Sequence, residues 1–296
     1  MNTRHLALLA ATIAALIYGV TFTVAKHVMP VYIKPYGFII LRVLGATLLF
    51  WLAGLFIKKE TIDKTDYGRI FLAAIFGVGL NMLTFFKGLS YTTPINASVV
   101  MVTTPIIVLS LSAILLKEHL AKYRIVGIFI GLIGAVYLIA YGNGLHLDNR
   151  RIQWGNFLVF VNAFSYSLYL ILVKKLTSKY HPVTFAKWLY LIGFFIVLPF
   201  GFEELKAISW TAMPTNIFYK MLFVVVFATF VTYLFNLLAV RKLKPTTVSV
   251  FIYLQPFIAT TFALIVKSDT LNSHKIAASA LIFIGVYLVS KKPAKT

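Results

Sequence analysis

The chain has no cysteine and few acids, with 8 Asp and Glu among 296 residues against 28 Lys and Arg. Without cysteine there is no disulfide, no thiolate metal ligand and no cysteine nucleophile, and the redox compartment stays open. The acids are also placed away from any membrane interior. Glu60, Asp63, Asp66, Glu118, Asp148, Glu203, Glu204 and Asp269 fall in predicted loops or at the ends of apolar runs. The usual intramembrane proton carrier or cation-binding carboxylate is therefore missing. His5, His27, His119, His146, His181 and His274 sit in loops or near the interface, and no GxSxG occurs. An intramembrane enzyme needs a nucleophile with a base, or metal ligands, at depth, so catalysis, cofactor and metal are not expected.

What is abundant is apolar. Hydrophobic residues make up 60% of the chain and charged ones 12%, with a mean hydropathy of +0.89. So little polar surface calls for lipid as the main solvent. A net charge of +20 suggests nucleic acid in a soluble protein. Here the basic residues cluster between apolar runs, as in the cytoplasmic loops of a membrane protein, so the expected partner is the bilayer and not nucleic acid.

A hydrocarbon core of roughly 30 Å takes about 20 apolar residues as helix. Ten runs come near that length: Leu6–Ala25, Tyr36–Ile57, Ile70–Phe86, Asn96–Leu116, Val126–Tyr141, Trp154–Val173, Phe185–Phe202, Ile217–Val240, Val248–Val266 and Ile276–Ser290. They are continuously apolar, which favours helices over a barrel. The fold expected is all-α polytopic with ten transmembrane helices. The first run follows Arg4 but is long, lacks a clear cleavage site and has a later counterpart, so it reads as a retained helix and not a signal peptide. With the N-terminus inside, the inner segments hold 17 Lys and Arg and the outer segments 9. That imbalance places both termini in the cytoplasm.

The chain repeats itself. A shift of 151 lays residues 80–139 over 231–290 without a gap, with eleven of sixty positions identical. The matches among rare residues carry the argument: Pro94 with Pro245, Pro105 with Pro256, Gly134 with Gly285. A shift of 148 pairs Ala15 with Ala163, Tyr18 with Tyr166 and Lys26 with Lys174. The join lies in the Gly- and charge-rich stretch 141–153, read as a loop, which divides the chain into five-helix units 1–146 and 147–296. Five spans are an odd number, so the second unit enters the membrane from the opposite side, giving inverted repeats. Duplication for size alone is the plainer alternative. Inverted halves that exchange conformations open a central site to alternate sides.

Pro105 and Pro256 fall near the middle of spans four and nine. Each removes a helical hydrogen bond and frees the carbonyl one turn back, at Met101 or Ile252. This pair is the expected hinge, although proline is also simply commoner in membrane helices. Polar stripes mark the helices around it. Thr229, Thr232, Tyr233 and Asn236 in span eight share their spacing with Asn162, Ser165, Tyr166 and Tyr169 in span six. Asn81 and Thr84 lie in span three beside Phe85, and Ser249, Tyr253 and Gln255 in span nine. Such residues avoid lipid, either as interhelical glue or around a cavity. Tyr18, Asn81, Phe85, Asn162, Tyr166, Trp188, Tyr233, Asn236, Tyr253 and Gln255 are the candidate substrate-binding residues, since a buried amide left unpaired costs about 1–3 kcal/mol. The small residues Gly127, Gly131 and Gly134 in span five pack closely within the chain or between chains, so a monomer or weak dimer is expected.

Four basic residues lie within or at the edges of spans: Lys26, Arg42, Lys174 and Lys187. A charge at a helix centre costs roughly 2.5–3.5 kcal/mol, so it snorkels or works. Snorkelling suits Lys26 and Lys174; Arg42 and Lys187 stay open. Any that face the cavity point to a carboxylate or phosphate on the substrate.

Together these features resemble the EamA family of the drug/metabolite transporter superfamily. Tyr18-Gly19 with Lys26, Arg42, the proline of span four, Glu118 just beyond it and the glycine-rich span five carry the likeness. The second half departs from it, with Ser167 at the glycine position and Asp269 for the glutamate. The resemblance implies a ten-helix exporter of amino acids or other small metabolites, with spans five and ten peripheral. Uptake or exchange of anionic, for example phosphorylated, metabolites is the close alternative, and a non-transporting receptor or scaffold the remote one. A chain without a targeting extension suits a bacterial inner membrane.

Overall fold

A computed structural model describes residues 3–116, 122–141 and 150–290. Among these residues all regular structure is helical. In chain order the α-helices are α1 (Thr3–Val28), α2 (Pro35–Gly54), α3 (Tyr67–Ala74), α4 (Leu80–Tyr91), α5 (Pro94–Met101), α6 (Thr104–Leu116), α7 (Lys122–Tyr141), α8 (Arg150–Lys179), α9 (Pro182–Lys206), α10 (Thr215–Val225), α11 (Thr232–Lys242), α12 (Pro245–Val250), α13 (Leu254–Ile265) and α14 (Ser273–Ser290).

Several of these are pieces of one span. A π-helical turn at Ile75–Gly79 joins α3 to α4, and another at Val226–Val231 joins α10 to α11. These turns start 151 residues apart, as the repeat offset requires. Among the described residues, eight continuous rods, counting joined pieces together, are long and apolar enough to cross a membrane; Ile125–Leu138 and Ser273–Gly285 form two shorter apolar helices. The chain is thus an all-α polytopic membrane protein. We call the side where α1 begins the near face and the side where it ends the far face.

The helices outrun the apolar runs that announced them. The stretch 141–153 reads as a loop by composition, yet Tyr141 closes α7 and Arg150 to Gln153 open α8. The charge there does not stop the helix, because the Arg151 guanidinium lies 4.7 Å over the Tyr91 ring and stays at the far face. Lys87 likewise belongs to α4, beside the rings of Tyr36 and Tyr91. The boundary between 146 and 147, with Glu118, His119, His146 and Asp148, lies outside the described residues.

Helix neighbours follow the offset too. α4 packs on α8 as α11 packs on α1, and α6 on α8 as α13 on α1. The α2–α9 and α7–α14 pairs join each element to its own counterpart. Two clamps hold α2 against α9. At the far face Glu204 Oε2 accepts from the amides of Tyr36 (2.7 Å) and Gly37 (3.0 Å), at the start of α2. At the near face Glu60 Oε2 accepts from the His181 amide at 2.8 Å, at the start of α9. Both carboxylates meet a positive helix end. Burial pushes the Glu60 carboxyl up, but the His181 amide, Thr184 and nearby cations outweigh it and hold it below the usual carboxylate range.

The α7–α14 pair stands on glycine. A Cβ placed on Gly285 would sit 2.5 Å from the Gly131 nitrogen and 2.6 Å from the Gly127 oxygen, so backbone meets backbone. The small-residue face of span five is therefore spent inside the chain. Gly285→Leu is expected to lower stability by about 1–3 kcal/mol through overpacking. Thermal unfolding in detergent checks this, and an unchanged midpoint would count against the contact.

Candidate functional site

Between the helix bundle's middle and its far face lies a cavity with about 580 Å³ of empty space, counting its open side. Tyr18 and Phe22 reach it from α1, Arg42 from α2, Asn81, Phe85 and Phe86 from α4, Asn162 and Tyr166 from α8, and Tyr233 from α11. Both halves of the chain contribute. α7 and α14 contribute nothing among the described residues.

The cavity meets spans four and nine where each one breaks. α5 ends at Met101 and α6 begins at Thr104; α12 gives way to a 3₁₀ turn at Phe251–Tyr253 before α13. Pro105 and Pro256 sit just past these breaks. Met101 and Ile252, one turn before each proline, both line the cavity. A proline cannot donate to the carbonyl four residues back, so the break falls where the sequence places it.

Seven of the ten residues singled out from sequence line this space: Tyr18, Asn81, Phe85, Asn162, Tyr166, Tyr233 and Gln255. Asn236 lies one shell away, beside Tyr18. Tyr253 belongs to the 3₁₀ turn and Trp188 to an aromatic stack with Trp51 (5.4 Å) and Tyr67 (6.0 Å) near the near face. Phe22, Phe86, Met101 and Ile252 were not selected. The first two repeat Tyr18 and Met82 at a spacing of four, a signal hidden by the abundance of phenylalanine.

The polar contacts are sparse. Asn162 Nδ2 donates to the Asn81 carbonyl at 2.8 Å, while its Oδ1 has no hydrogen-bond partner among the described residues. Tyr233 Oη donates to the Gly77 carbonyl at 2.5 Å and lies 3.4 Å from Asn81 Oδ1. Below the cavity, toward the near face, Tyr169, Tyr233, Tyr190, Phe50 and Phe230 form a chain of rings with centroids 4.7 to 6.0 Å apart. The lining offers amides, hydroxyls, aromatic faces and one guanidinium.

The four basic residues separate cleanly. Lys26 Nζ donates to the carbonyls of Leu89, Ser90 and Thr92 at 2.8, 2.9 and 2.7 Å, around the end of α4. Lys174 Nζ donates to those of Val240, Arg241 and Leu243 at 2.7, 3.4 and 2.9 Å, around the end of α11. The three acceptors match one by one at the offset of 151. These lysines cap helix C-termini, where the dipole favours a cation. They neither snorkel freely nor reach the cavity. Lys187 lies 5.1 Å over Trp51 at the near end of α9. Arg42 alone of the four lines the cavity.

Comparison with known proteins agrees with this architecture. The model of the EamA-like transporter family matches residues 5–140 and again 153–291. The chain belongs to the EamA-like transporter family. It is therefore a membrane transporter. Similar proteins include an uncharacterized transporter of Archaeoglobus fulgidus, 29% identical over 93% of this chain and 95% of its own length. YyaM, an uncharacterized transporter of Bacillus subtilis, is 24% identical over 92% and 89%. A WAT1-related protein of Arabidopsis thaliana is 23% identical over 90% and 74%. One solved crystal structure superimposes with a TM-score of 0.67 at 16% identity, covering 96% of this chain and 95% of that one, a likeness of fold alone.

Because Lys26 caps the end of α4, Lys26→Met is expected to cost about 1.5–3 kcal/mol, the range for hydrogen bonds to a charged group. Lys174→Met, which is more solvent-exposed, is expected to cost less. Denaturant unfolding of each variant measures both, and equal stability with the unsubstituted protein would refute the capping role.

Proposed function

We propose that this transporter is a secondary carrier that exports small metabolites, amino acids among them, by alternating access across a bacterial inner membrane. Both termini lie in the cytoplasm on this reading, from the 17-to-9 imbalance of Lys and Arg. The near face is then cytoplasmic, and the cavity lies toward the outer face.

The observation that carries the reading is the pair of matched helix breaks. Met101 and Ile252 stand 151 residues apart, flank one cavity and precede Pro105 and Pro256. Two halves built alike but inserted in opposite directions can exchange shapes, and exchanging them moves the opening from one face to the other. The breaks supply the bending points. The ring chain around Tyr169 and Tyr233 is the closed gate of this state. Export rests on the family resemblance. A buried arginine in the lining favours a second reading, uptake or exchange of anionic metabolites, through the same site.

Two experiments test the proposal. Solute counterflow in proteoliposomes is expected to show saturable exchange of one solute class, reduced at least tenfold by Asn81→Ala or Gln255→Ala. No exchange from folded protein across amino acids, dicarboxylates, sugar phosphates and organic cations would contradict it. Replacing Pro105 and Pro256 together with alanine is expected to slow turnover several-fold more than it weakens binding. Equal loss of both, or loss of neither, would remove the hinge.

A further inference from the structure

Arg42 is 3% exposed and lines the cavity, eight residues into α2. Its Nε donates to Thr229 Oγ1 at 2.9 Å and its Nη2 to the Ala228 carbonyl at 3.3 Å. The guanidinium carbon lies 4.1 Å from the centre of the Phe86 ring. Nη1 is buried and has no hydrogen-bond partner among the described residues. No carboxylate among them pairs with this arginine. A guanidinium does not lose its proton in a protein, so the site holds a full positive charge with one edge unused.

A purely architectural role explains this poorly. Ala228 belongs to the second π-turn, and the residue at the matching place in the first is Gly77. The Gly77 carbonyl is satisfied by a neutral phenol, Tyr233 Oη. Laying α9 on α2 by their opening prolines, Pro35 and Pro182, puts Leu189 opposite Arg42. The fold thus holds the same turn without a charge once, and the charge appears only where the lining needs it. Meanwhile Nε, Nη2 and the Phe86 ring fix the guanidinium plane before any ligand arrives, which spares part of the ordering cost of binding.

The surroundings narrow the ligand. Phe22, Phe85 and Phe86 meet edge to face, with centroids 5.5 and 4.9 Å apart, and Met101 and Ile252 add apolar surface. The lining holds one cation and no acid, so nothing of opposite charge awaits an ammonium group. We infer that the cavity takes a small organic acid as its monoanion, with the carboxylate on Arg42 and an apolar or aromatic body against the phenylalanines. This rests on the carrier reading and, within it, selects organic acids over amino acids, adding the substrate's charge and shape.

The test uses the full chain in detergent, titrated calorimetrically with 3-phenylpropionate, 3-phenylpropanamide, phenylalanine and inorganic phosphate. The acid is expected to bind at least tenfold more tightly than its amide and than phenylalanine or phosphate. Arg42→Gln is expected to weaken the acid at least tenfold and the amide less than threefold, with Arg42→Lys in between. Should Arg42 variants fail to fold, the acid–amide contrast in the unsubstituted protein decides alone. Equal binding of acid and amide, tighter binding of phenylalanine or phosphate, or no binding of the acid overturns the inference. Counterflow with 3-phenylpropionate added to the solutes above separates this failure from that of the carrier. Exchange of only neutral, zwitterionic or cationic solutes keeps the carrier and removes the anion site, while no exchange at all removes both.

Discussion

A helix in hydrocarbon can end only where something takes up its last carbonyls, because no water is there to do so. In this chain the far end of α4 and the near end of α11 are each closed by a lysine arriving from another helix, Lys26 from α1 and Lys174 from α8. Much of the architecture follows from that constraint. The two lysines tie the far turn between α4 and α5 to α1, and the near turn between α11 and α12 to α8. The broken spans start from those turns. They run from there to the breaks at Met101 and Ile252, beside the cavity.

Twofold likeness supplies the scaffold, and departures from it supply the chemistry. The π-turns, the caps, the carboxylate clamps on α2 and α9 and the helix breaks all recur in both halves. Arg42 does not, and neither do the three phenylalanines beside it. A duplicated frame with an unduplicated lining is what a carrier needs, since the frame must bend alike in both directions while the ligand meets one set of groups. Each proline-linked break weakens a helix at a position where hydrogen bonds are already missing, so bending there costs less than within a continuous helix.

Much of this was legible in the sequence, for physical reasons that differ by element. The spans were legible because lipid tolerates almost nothing but apolar helix, and the repeat because its prolines and glycines are rare enough to stand out. The proline argument named Met101 and Ile252 through their freed carbonyls, although neither side chain looked functional. Helix ends were less legible. Arg150, Arg151 and Lys87 look like loop residues but lie on helices, and aromatic rings at the far face stack on Arg151 and Lys87. The lysines were misleading for a related reason: their acceptors are backbone carbonyls more than sixty residues away, which no pattern of side chains reveals. Trp188 carried the right chemistry on the wrong face, packed with Trp51 and Tyr67. Arg42 was visible as a charge within a span, yet only the packing of α2 against the second π-turn distinguishes it from a snorkelling residue.

The absence of cysteine makes the central claim directly measurable. Met101→Cys and Ile252→Cys each introduce the only thiol in the chain, at the two breaks lining the cavity. Labelling with a membrane-impermeant thiol reagent, from either side of oriented vesicles, reports which face each position sees. Alternating access predicts that both thiols react from both faces, and that a transported solute changes the ratio of the two rates. Reaction from one face only, under every condition, would contradict it.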